Sequence, residues 1–112
     1  MDFDPDQLEA RLMSHGVYVT SVETDEERIE VEYESITAGN SGAVPHREVG
    51  RVINVVRELT ETQRNLRGWV TDLDGEQVGR WQAKAEWLEA LEDGELSEVD
   101  FSGRVIESID HS

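Results

Sequence analysis

Ala38-Gly39-Asn40-Ser41-Gly42-Ala43 leads through Val44-Pro45-His46-Arg47-Glu48 into the longest helical pattern of the chain. From Pro45 onwards, Val49, Val52, Ile53, Val56 and Leu59 recur at helical spacing, while Arg47, Arg51, Glu58 and Glu61 fall off that stripe. The pattern predicts an amphipathic helix laid against a sheet. Through Arg67 the stretch holds five arginines against three glutamates, in a chain whose formal net charge is -16. It is therefore the expected core helix and the first place to seek a functional face. Gly50 inside it costs about 1 kcal/mol relative to Ala, which points to a close approach of another backbone or of a ligand, with close packing as the expected reason.

A hairpin pattern lies on either side of this helix. Val17 to Val22 and Arg28 to Glu34 flank an acidic turn, and the second run alternates Ile29, Val31 and Tyr33 with Glu30, Glu32 and Glu34. That alternation predicts one buried and one wet face. Downstream, Leu66 to Leu73 and Glu76 to about Trp87 flank Asp74-Gly75, a strong two-residue turn signal. The returning run places Trp81, Ala83, Ala85 and Trp87 on one face, with Trp69 expected as a cross-strand neighbour of Trp81 in the sheet core.

Helical signals fill the remainder. Asp4-Pro5 reads as an N-cap with proline at the first helical position, Leu8 and Leu12 follow at helical spacing, and Gly16 closes the element. Trp87-Leu88-Glu89-Ala90-Leu91 turns helical and stops at Asp93-Gly94. Ser97-Glu98-Val99-Asp100 resembles a capping box before Phe101, Val105 and Ile109, with a closing strand as the alternative for 97–109. The segment from Thr37 to Val44 holds two glycines and no charge and reads as a loop. The expectation is one α+β domain over 1–112, with an antiparallel sheet of about four strands covered by helices. Its order is α-ββ-α-ββ-α-α, and 110–112 is expected as a frayed tail.

Composition narrows the classes of function. There are 26 acidic residues against 10 basic ones, and Lys84 is the only lysine. Nucleic-acid binding draws on basic residues, so this charge argues against it, and no apolar run approaches the ~20 residues that span a membrane. Met1-Asp2-Phe3-Asp4 lacks the basic and apolar regions of a signal peptide. With no cysteine, disulfides and thiolate metal sites are absent. A cytoplasmic home follows as the expectation. Such an acid excess suits a salt-rich cytosol, because at about 1 M salt the Debye length is only about 3 Å and self-repulsion is largely silenced.

The candidate sites are few. Gly39-Asn40-Ser41-Gly42 is similar to the surroundings of a serine nucleophile, with His46 five residues on, but the chain is too short for the double-barrel scaffold that carries that motif. The same residues could instead bring Asn40, Ser41, His46 and Arg47 around an anion at the helix N-terminus. Asp72-Leu73-Asp74-Gly75-Glu76 fails as a calcium loop, since the flanking ligand positions fall on Val70 and Trp81. His15, His46 and His111 share no metal-ligand spacing. No metal and no cofactor is expected.

Val44 to Val52, Glu86-Trp87-Leu88 and Leu96-Ser97-Glu98-Val99-Asp100-Phe101-Ser102 resemble a family of small, acidic, uncharacterised proteins of haloarchaea. The resemblance covers about Ile36 to Ile109. It implies an organism class and a cytosolic home, and no chemistry. The functional expectation is a non-enzymatic protein-interaction module, self-associating or binding a protein partner. Its expected face carries Arg51, Arg57 and Trp69. The alternative is a small-ligand or anion binder using residues 39–51.

Overall fold

The computed structural model describes residues 4–60 and 63–111. Its elements are α1 (Pro5–Ser14), β1 (Tyr18–Thr24), β2 (Arg28–Glu34), α2 (Ile36–Ser41), α3 (His46–Leu59), β3 (Asn65–Thr71), β4 (Gln77–Ala83), α4 (Ala85–Glu92), α5 (Glu98–Glu107) and β5 (Asp110–His111). The fold is α+β, and the sheet is five-stranded and mixed, in the order β1-β2-β3-β4-β5. The purely antiparallel, four-stranded expectation is thus corrected at the centre. α2 and α3 form a crossover that returns the chain to the starting end of β2, so β3 runs parallel to it.

Two local rules explain the other departures. The uncharged stretch after β2 is helical because Ser35 caps it: its hydroxyl accepts from the Ala38 amide at 3.0 Å, and Gly42 closes the helix at φ 73°. Ser35 also donates to Glu48 Oε2 at 3.1 Å, and its amide bonds Thr71 O, so one buried serine joins β2, α2, α3 and β3. Strand β4 stops at Ala83, and Ala85 and Trp87 belong to α4, where the helical period of Trp87, Leu88 and Leu91 overrides the alternation.

Segment 97–109 is mainly the expected helix, α5, with the Ser97 hydroxyl capping the Asp100 amide. Its sequel is no frayed tail, because Asp110–His111 pairs with β4 and His111 Nε2 accepts from the Val44 amide at 3.1 Å. Ser112, Met1 to Phe3 and Glu61 lie outside the described residues.

The helices bury their stripes in one cluster on one face of the sheet. Leu8 and Leu12 come from α1, Val49, Val52, Ile53, Val55 and Val56 from α3, and Phe101 and Val105 from α5. Pro45 serves α3 as N-cap rather than as its first residue. Facing the helices are Ile29, Val31 and Tyr33, Leu66 and Val70, and Trp81 and Ala83, all nearly inaccessible to solvent. Each large apolar side chain so buried contributes roughly 1.5–3 kcal/mol. Tyr33 keeps its hydroxyl in this core by accepting from Trp81 Nε1 at 3.1 Å.

Candidate functional site

The residues of the two candidate sites belong to different elements of the fold. Asn40 and Ser41 end α2 and face solvent, while His46 and Arg47 open α3. The Ser41 hydroxyl lies 2.9 Å from Thr37 O and 3.3 Å from Ala43 O and accepts from the Ala43 amide. It is engaged with its own local backbone. His46 instead stands at one end of a groove of about 280 Å³ between α3 and α5, with Val49, Ile53, Phe101 and Val105 in its lining. Gly50 opens this groove, since a Cβ built there meets nothing within 4 Å. The close packing expected of Gly50 is therefore absent among the described residues.

The arginine face separates as well. Arg51 Nη1 donates to His15 O at 3.2 Å, at the end of α1. Arg57 donates twice to Glu92 Oε1, at 3.0 and 2.7 Å, at the end of α4. Six helical positions separate the two by roughly 120° around α3, so each ties the helix to a different neighbour. Trp69 is not near either, because it projects from the far side of the sheet.

The register of the strands shows why. Gly68 faces Trp81, and Trp69 faces Arg80, so the two indoles lie on opposite faces rather than side by side. Trp81 enters the helix-covered core, while Trp69 stays half-buried on the outer face. Counting outward from a two-residue turn at Asp74-Gly75 pairs Trp69 with Arg80. That count was the signal in the sequence for this arrangement.

On the outer face, the pairing aligns side chains in rows across the strands. One row reads Ser21, Glu32, Trp69, Arg80 and Asp110 from β1 to β5; the next reads Glu23, Glu30, Arg67 and Gln82. The Arg80 guanidinium lies 5.7 Å from the Trp69 ring centroid and 3.1 Å from Asp110 Oδ2. Arg67 reaches Glu30 at 3.9 Å, and Thr20 Oγ1 donates to Glu32 Oε2 at 3.0 Å. The face thus divides at Trp69. Glu23, Glu30, Glu32 and Glu34, with Arg28, occupy the β1–β2 half, and Arg67 and Arg80, with Asp110, the half from β3 to β5. Over the latter half the surface dips into a dish of about 310 Å³.

Both arginines keep about half of their side-chain area in solvent. Such exposed ion pairs contribute only about 0–1 kcal/mol each. Their stability value does not account for the layout.

The model of a domain of unknown function, DUF8159, matches residues 1–112. The chain belongs to the DUF8159 family. No curated protein and no solved structure matches it. Among the described residues of this DUF8159 domain, no group of three or more His, Cys, Asp or Glu side chains could hold a metal ion. None of the described helices is long and apolar enough to cross a membrane.

Proposed function

We propose that the chain is a non-enzymatic protein-interaction module and that its binding surface is the outer face of the sheet. The observation that carries this reading is Trp69, a large aromatic side chain that stays partly accessible under Arg80 in the middle of a face that no stripe of the helices covers. Aromatic residues and arginine are the types enriched in the centres of protein interfaces, where they supply contact area and hydrogen-bond donors. A cytoplasmic, salt-rich setting belongs to the same proposal, since -16 on 112 residues opposes association with a second copy or another acidic chain until salt screens it.

The experiment is affinity capture at about 2 M KCl, comparing wild type with the Trp69→Ala, Arg80→Ala double variant. The reading predicts a stoichiometric protein partner on wild type that is lost from the double variant. Equal capture by both contradicts it.

A second reading has one observation in its favour. Gly50 keeps open a groove with an apolar floor although Ala would suit the helix better, so a small apolar molecule could lodge between α3 and α5 with His46 at its end. Gly50→Leu would then abolish binding of an apolar fluorescent probe; unchanged probe binding rejects this reading.

A further inference from the structure

We propose that the partner of the outer face is a second copy of this chain, packed face to face across a two-fold axis that passes beside Trp69 and runs along the strands. This inference rests on the outer face being the binding surface. Trp69 is the central residue of its row, with Glu32 one strand away on one side and Arg80 one strand away on the other. A two-fold axis beside Trp69 exchanges those two sides. Glu32 of each copy then lies over Arg80 of the other, twice, and the two indoles meet at the axis.

Sheets stack about 10 Å apart, a separation that these side chains bridge from both sides. Glu32 and Arg80, each one strand from Trp69, are self-complementary under that axis, as an isologous interface requires, while Arg67 on the same strand as Trp69 meets its own copy near the axis with Glu30 of its own chain 3.9 Å away. A foreign partner imposes no such symmetry.

The alternative route to self-association is edge-to-edge pairing through β1, and its sequence opposes this. The register skips between Val19 and Ser21, leaving Thr20 in a bulge, and Glu23 stands on the exposed strand. Bulges and charges on an edge strand oppose pairing with another chain. At the other end, β5 and the Ser108 hydroxyl, which bonds both Gln82 N and Gln82 O, cover β4. With both edges guarded, pairing through the sheet would run through its outer face.

Two charge reversals test this by sedimentation velocity at about 2 M KCl, where overall repulsion is screened. Glu32→Arg alone and Arg80→Glu alone each set like charges opposite one another at both contacts. Both variants should therefore be monomeric where wild type is dimeric. An equimolar mixture of the two restores opposite charges at both contacts and should dimerise again. Both positions are solvent-accessible, and circular dichroism checks that each variant is folded.

Should either reversal fail to fold, Arg80→Gln and Glu32→Gln are each expected to weaken the dimer by about tenfold or more. A wild type that stays monomeric, variants that dimerise like wild type, or a mixture that stays monomeric overturns the proposal. A monomeric wild type that still captures another protein through Trp69 and Arg80 overturns self-pairing alone and leaves the interaction-module reading in place.

Discussion

Gly68 on β3 and Trp81 on β4 are register partners, and the indole occupies the space that a side chain at position 68 would need. A Cβ built on Gly68 falls 2.1 Å from Trp81 Cε2, with Nε1 and Cζ2 within 2.4 Å. The same indole donates to Tyr33 OH, so it cannot swing aside without leaving that hydroxyl unpaired in the core. This contact fixes which tryptophan enters the core and, by alternation, puts Trp69 on the outer face.

Gly68→Ala should therefore destabilise the fold by about 2 kcal/mol or more, because overpacking displaces a rigid ring. Urea unfolding measures this, and a change below about 0.5 kcal/mol would show that the indole has room to move.

Gly50→Ala should do the opposite. Nothing lies within 4 Å of the added methyl, so helix propensity alone operates and the chain gains about 0.5–1 kcal/mol. A loss of stability on urea unfolding would mean that the groove closes over Gly50 in solution.

Tyr33→Phe separates two effects of one hydroxyl. Burial, eased by the Trp81 N–H and reinforced by the Glu48 charge, pushes the phenol well above its ordinary value of 10.0. Since the folded value lies above the unfolded one, this group's contribution is complete below about pH 10 and is lost as pH rises beyond it. At pH 7 the variant should lose about 1–3 kcal/mol through the orphaned indole N–H. Above pH 10 its stability should fall less steeply than that of wild type. Parallel alkaline limbs in thermal melts of the two would contradict the burial of this phenol.

His111→Ala should release the Val44 amide and loosen β5 from β4, at a cost of about 1 kcal/mol. Hydrogen exchange at the Val44 amide reads this directly: faster exchange is expected in the variant, and equal protection in both chains would contradict the bond.

Most of the helices and both hairpins were legible because each obeys one period over several residues. Leu8 and Leu12, the Val49 to Val56 stripe, and Ile29, Val31 and Tyr33 are buried as their spacing requires. Parallel pairing of β2 with β3 was hidden, because it depends on the path of a crossover and not on either strand's own pattern. α2 was hidden too, since Gly39 and Asn40 weaken its propensity and its cap at Ser35 precedes a stretch with little helical character. β5 is two residues long and exists through His111 and Val44, 67 positions apart, a contact that no local signal announces. As for the site, Trp69 was named from the sequence, but its partners were not. Arg80, Glu32 and Arg67 are ordinary wet-face residues until strand register sets them in rows around the indole.

The most direct measurement is a dilution series of ¹⁵N-correlated NMR spectra of wild type at about 2 M KCl. The account predicts that the Trp69 indole signal and the resonances of Glu32, Arg67 and Arg80 shift with protein concentration, while those of α3 beside Gly50 stay fixed. A spectrum that does not change with concentration, or shifts confined to the groove between α3 and α5, would contradict it.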